Sequence, residues 1–207
     1  MKACALFSFA LSLSAISELQ AFKCTKYYVS DMAQSELFWR GIWARYSSDA
    51  PQIRQHSIAV RERCLHWAQS SQLSDKEVRL LDRFALLYQI GQSPRLSSTT
   101  FYALDGARLA AREGDLHLAA LIAHQGGARF LAARLDIRIP YHQPAGTVAD
   151  LVDYFDICTS DSGQHLSAKE GRRQIKQQHG AGSDQYRALK EFWPYFQAAA
   201  ARLQLPA

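Results

Sequence analysis

No C-x-x-C pair and no short cysteine–histidine spacing occurs in the chain, which excludes a zinc knuckle. The four cysteines, Cys4, Cys24, Cys64 and Cys158, are therefore expected as free thiols. Cys64 and Cys158 fall inside apolar helical stretches, where cysteine acts as a small hydrophobe. Apolar residues almost nowhere alternate as a half-buried strand requires, so no sheet is predicted. No internal repeat or low-complexity tract breaks the 207 residues, a length that suits one domain. The basic residues form no long run. A net charge of +5 thus favours attraction of phosphate-bearing ligands, without the footprint of dedicated nucleic-acid binding.

The start of the chain is treated separately. Lys2 and the apolar run Ala3 to Ile16 have the shape of a secretory signal, but the run is too short to span a bilayer and the cleavage region near Ala21 is untidy. Met32 stands before the first convincing globular helix, so an over-extended start is the competing reading. Residues 1–31 are set apart as an extension or signal that should contribute little to stability, and 32–207 form the expected domain. A cytoplasmic location is expected, with export as the alternative.

What the body does contain is helical periodicity. Leu37, Phe38, Ile42 and Trp43 share one side of a first helix, and a second opens at Asp49 with Pro51 in its first turn. Ser74 and Glu77 form a capping box for a helix apolar on nearly all sides, expected at the centre of the core and ending at Gly91. A shorter helix should cover Leu104 to Glu113. Asp115 then caps a long one from Leu116 to Leu135, with Gly126 and Gly127 inside it. Each interior glycine costs roughly 1 kcal/mol relative to alanine, so close approach of a helix or ligand is expected there. Thr147 is expected to cap a helix to Cys158, Ser167 and Glu170 make a second capping box, and a last helix begins near Asp184 with Pro194 kinking it. The fold class is all-α, a single helical bundle, in which the four tryptophans belong to the core and 169–179 is an exposed face.

Each of the seven histidines is weak evidence alone, because imidazole fills many roles. Their placement on separate helices is more telling. His56 lies in one helix, Tyr88-Gln89 at the end of the next, His124 in a third and Asp156 in a fourth. The stretches His56-Ser-Ile-Ala-Val60, Leu87-Tyr88-Gln89-Ile90-Gly91, Phe101 to Arg108, Leu121 to Phe130 and Tyr154 to Thr159 resemble the HD superfamily of metal-dependent phosphohydrolases over about residues 34 to 203. That resemblance implies a helical bundle with a divalent metal held by a histidine, a histidine–aspartate doublet and a later aspartate. His56 matches the first histidine and Asp156 the last aspartate. Tyr88 and Gln89 replace the doublet, Tyr102 stands at a position where a histidine is usual, and Gln125 replaces the second of a histidine pair beginning at His124.

A hard divalent ion prefers carboxylate and imidazole ligands and activates bound water by lowering its pKa. A neutral phenol and a neutral amide supply neither. The expectation is therefore a degenerate metal site and a non-catalytic binding or regulatory module, with no cofactor, for a nucleotide, another phosphoester or a protein partner. In this reading His56 and Asp156 persist as a hydrogen-bonded pair tying two helices. The alternative is a phosphohydrolase with an altered site of His56, His124 and Asp156 holding manganese, nickel, iron or magnesium weakly. Arg108, Arg112 and Arg129 are candidate phosphate contacts, and Asp105 a candidate helix cap.

Overall fold

The computed structural model describes residues 36–207. Expectations for residues 1–31, including Cys4 and Cys24, lie outside the described residues. By backbone proximity the chain divides into two units, one ending at Ile42 and the other spanning Trp43–Ala207. Residues 36–47 are helical (α1). The remaining elements are α2 (Pro51–Ala68), α3 (Asp75–Leu87), the 3-10 turn η1 (Ile90–Gln92), α4 (Tyr102–Arg112), α5 (Leu116–His124), the 3-10 turn η2 (Gln125–Gly127), α6 (Ala128–Arg134), α7 (Thr147–Ile157), α8 (Ala168–His179) and α9 (Asp184–Leu203). The fold is all-α. Among the described residues the only β pairing is an isolated bridge between Thr159 and His165, and no helix is long and apolar enough to cross a membrane.

α3 is central, as its apolar circumference requires. It packs on α2, α5 and α7, and Leu81, Phe84, Ala85 and Leu87 are fully buried among Val60 and Cys64 of α2, Leu118 and Ile122 of α5, and Leu151 of α7. Burying each large apolar side chain contributes about 1.5–3 kcal/mol, which fixes where α7 can lie. Both capping boxes form: the Ser74 hydroxyl accepts from the Glu77 amide, the Ser167 hydroxyl from that of Glu170, and each glutamate reaches back. Asp115 accepts from the Leu118 amide. Cys64 and Cys158 are free and buried.

Several expectations are corrected. The helix expected from Leu116 to Leu135 is two helices. Gly126 (φ +52°) and Gly127 (φ +77°) take left-handed conformations that L side chains adopt only with strain, so the chain turns there instead of bearing a glycine penalty within a helix. The expected close neighbour is present: a Cβ on Gly127 would stand 2.7 Å from Phe192 Cβ of α9. The helix expected to reach Gly91 stops at Leu87, and a short turn brings Gly91 so near α4 that a Cβ on it would lie 1.9 Å from the Tyr102 carbonyl.

Thr147 is the first residue of α7 and makes no side-chain cap; Gly146 holds the cap position. Asp49 does not cap α2 but pairs with Arg95 at 2.7 Å. Asp105 is no cap either. Buried within α4, it accepts from the Ser98 hydroxyl and the Ser98 and Thr99 amides, fixing the loop that leads into that helix. Trp43 is buried, whereas Trp67 and Trp193 are half-buried, Trp193 stacking on Phe196 with the Arg172 guanidinium over its ring.

Candidate functional site

Three helices meet at one carboxylate. α7 presents Asp156, α2 presents His56, and the end of α3 presents Tyr88 and Gln89. Asp156 Oδ1 accepts from the Tyr88 hydroxyl at 2.8 Å, from His56 Nε2 at 3.1 Å and, more weakly, from Gln89 Nε2 at 3.4 Å. His56 Nδ1 faces the Ser160 carbonyl at 3.0 Å, just beyond α7. Both imidazole nitrogens thus face acceptors that carry no hydrogen, and both must donate. That arrangement favours the imidazolium form of His56.

Its pKa is raised accordingly. Burial acts against the charge, but hydrogen bonding to Asp156, the Asp156 charge, the Ser160 carbonyl and the nearby Asp161 outweigh it. The Tyr88 phenol is pushed well above its ordinary value, by burial first and then by the Asp156 charge, so it remains a neutral donor. Gln125, buried on η2, donates its amide to the Tyr88 backbone carbonyl and braces the end of α3.

Gly126 separates Asp156 from a second carboxylate that the sequence reading missed. Asp153 accepts the Gly126 amide at 2.7 Å, and a Cβ on Gly126 would stand 3.4 Å from Asp156 Oδ2. Half-exposed by area but deep between helices, Asp153 is pushed up to about 8 by burial. The charges of Asp156 and Asp150 add to this, and the Gly126 amide and Arg129 oppose it. The signal was available, since Asp153 lies three residues before Asp156 on the same helical face. Ser160 contributes only its backbone, which no side-chain pattern announces.

His56, Gln89, Tyr102, Gln125 and Asp156 line one cavity of about 680 Å³. His124 does not line it. Its Nε2 lies 2.9 Å from the Tyr141 carbonyl, and it faces a neighbouring cavity of about 540 Å³ with Asp153 and Arg129. Gln125 borders both. Arg129 bonds Gln143 at 2.5 Å and lies over the rings of Phe130 and Tyr195, away from His56. Arg108 is 54% exposed and 3.8 Å from Asp105, and it lines neither cavity. Of the three candidate phosphate contacts, Arg129 lines the second cavity alone, while Arg108 and Arg112, the latter paired with Glu113 at 3.4 Å, line neither.

The residues present do not fit a divalent ion. His56 has no lone pair free, Asp156 Oδ1 already accepts three donors, and the other neighbours are a neutral phenol and an amide that presents its N–H. Among the described residues no group of three or more histidine, cysteine, aspartate or glutamate side chains is arranged to hold a metal. Comparisons with protein-family models, curated proteins and solved structures return no match for this chain.

Proposed function

We propose that the protein is a non-catalytic binding or regulatory module on a scaffold resembling the HD superfamily, with its metal chemistry given up. One observation carries this reading: a phenol, an imidazolium and an amide converge on Asp156 Oδ1, where a metal-dependent hydrolase needs an accessible carboxylate and a deprotonated imidazole. A charge-assisted pair with every donor matched is stable without an ion and ties α2, α3 and α7 together. The cavity beside it supports binding, because its volume falls in the range of small-ligand sites and among the described residues no lysine or arginine lines it to hold a phosphoester.

The test is calorimetric titration of the purified chain with manganese, alongside hydrolysis assays on nucleotides and simple phosphoesters with and without that ion. No stoichiometric binding and no metal-stimulated hydrolysis are expected. Tight one-to-one binding with metal-dependent turnover would overturn the proposal in favour of a phosphohydrolase built on His56, His124 and Asp156.

A further inference from the structure

We infer that the cavity beside Asp156 binds a small organic ammonium carrying an apolar body, an inference that rests on the binding-module reading and names the ligand class. The argument starts from the walls. The chain has 24 lysines and arginines and a net charge of +5, yet among the described residues no lysine or arginine lines the cavity. Two carboxylates do, Asp156 and Asp161, with His56 and His179 as the basic side chains present. Arg63 approaches Thr159 Oγ1 at 3.0 Å but lines a different cavity. A phosphate here would meet two negative charges with no guanidinium to offset them. Two carboxylates with no lysine or arginine beside them among the described residues suit a ligand that brings positive charge.

The hydrogen-bonding capacity has the same polarity. Among the described residues, the donors around Asp156 all converge on Oδ1, and Oδ2 accepts none. Gln89 directs its N–H to that carboxylate and Gln125 its N–H to the Tyr88 carbonyl, so each amide oxygen is left without a donor. Gln125 is buried as a residue, yet its amide oxygen is not among the fully buried unpartnered atoms and so stays open on the cavity side. Around Asp156 the open positions are therefore acceptors, while the Thr100 and Tyr102 hydroxyls further along the wall can donate or accept. An ammonium group brings three donors and no acceptor. Further round the wall, Gln92, Gln174, Gln178 and Gln185 add neutral amides, and Leu131, Leu135, Ile175 and Leu189 provide an apolar side for the body of the ligand. Asp161 sits at the mouth, its Oδ2 accepting from Gln178 Nε2 at 2.7 Å while the residue stays exposed, where it can attract a cation before Asp156 receives it.

Calorimetric titration of the full chain at neutral pH with 2-phenylethylamine, 2-phenylethanol and phenyl phosphate distinguishes the charge classes on a nearly constant body. Saturable binding of the amine is expected at millimolar concentration or below. The alcohol should bind about tenfold more weakly or worse, and the phosphate should show no saturation. Asp156→Asn keeps the shape and an acceptor oxygen but removes the charge, and should abolish the preference for amine over alcohol. Asp161→Asn, on an exposed turn outside the buried pair, should weaken amine binding severalfold without unfolding the chain. The inference is overturned if phenyl phosphate binds in preference to the amine, if no probe binds, or if the amine binds both variants as it binds the parent. Manganese titration separates the two levels: tight metal binding removes the module reading itself, whereas absent metal binding with phosphate preferred removes the ligand class alone.

Discussion

A carboxylate oxygen that accepts from a phenol, an imidazolium and an amide has its lone pairs occupied, so the metal question reduces to two side chains. Installing the doublet of the resembled superfamily, Tyr88→His with Gln89→Asp, puts a ligand nitrogen and a carboxylate in the same place. Ligands act as a set, and a lone histidine or a lone buried carboxylate remains under-compensated. Manganese affinity should therefore rise far more in the double variant than the sum of the two single changes, as titration of all four proteins would read. Strict additivity would show that the positions do not share a site. Tyr88→Phe removes one donor to a charged acceptor and should lower stability by about 1.5–3 kcal/mol, measured by urea unfolding.

Asp153 supplies the pH-dependent prediction. In the folded chain it keeps its proton up to about 8, whereas the unfolded carboxyl ionises in the ordinary range near 4. Between those values the folded state holds the extra proton, so stability is highest at the acid end of this window and declines as the pH approaches 8. His56 acts in the same direction: its raised pKa gives stability that is complete below the unfolded imidazole value and lost as the pH rises through the folded one. Asp153→Asn keeps an oxygen for the Gly126 amide and has no proton to lose. Its Tm should exceed the parent's at pH 8 by about 2–4 °C for each kcal/mol gained, and the two should converge near pH 4. A parent curve that is flat between those values would contradict the assignment.

At the scale of elements, the break between α5 and α6 decides the geometry of the site. Gly126 lets the backbone pass between two carboxylates, and Gly127 lets α9 approach. Gly127→Ala adds both a left-handed strain and an overlap with Phe192, and should destabilise by about 2 kcal/mol or more. Ser74→Ala, by contrast, removes one end of a capping box and should lower stability by about 1 kcal/mol, readable in the same denaturation series. The starts of helices were legible because Ser74, Asp115 and Ser167 announce themselves by local chemistry. The break at Gly126 was not. Apolar spacing continues from Leu121 and Ile122 to Leu131 across it, and periodicity records which residues face the core, not whether the axis between them is straight. The end of α3 was misjudged for a related reason: Ile90 is buried in the turn that follows the helix, and its apolarity reads as a continuation.

For the whole molecule, burial and charge patterning explain which part of the site could be foreseen. The meeting of His56, Tyr88, Gln89 and Asp156 was legible from the resemblance and the order of the helices. The position of His124 was not, since it depends on the turn that follows it, and neither was the separation of Arg108 and Arg129, which depends on which helix faces remain outside the core. Net charge says nothing of this cavity: among the described residues no lysine or arginine lines it, and composition carries no address. Adding a chelator should leave Tm unchanged in thermal unfolding of the freshly purified chain. A drop of several degrees would show a bound ion stabilising the folded state.

The partners of the buried pair are remote along the chain: His56 meets Asp156 across 100 residues and Ser160 across 104, and Tyr88 meets Asp156 across 68. The contacts of α2 with α3 and of α4 with α5 lie upstream of α7 and are expected to form first in synthesis, which leaves the imidazole and the phenol without their acceptors until α7 docks. Docking of α7 is then a closing step that draws protons from solution at neutral pH, onto His56 for its second acceptor and onto Asp153 as it leaves water. Refolding in a weakly buffered indicator dye should show alkalinisation that coincides with the slowest change in tryptophan fluorescence. In Asp153→Asn only the smaller, imidazole share of that uptake should remain. The buried His56–Asp156 pair thus makes completion of the bundle an event that the solvent itself registers.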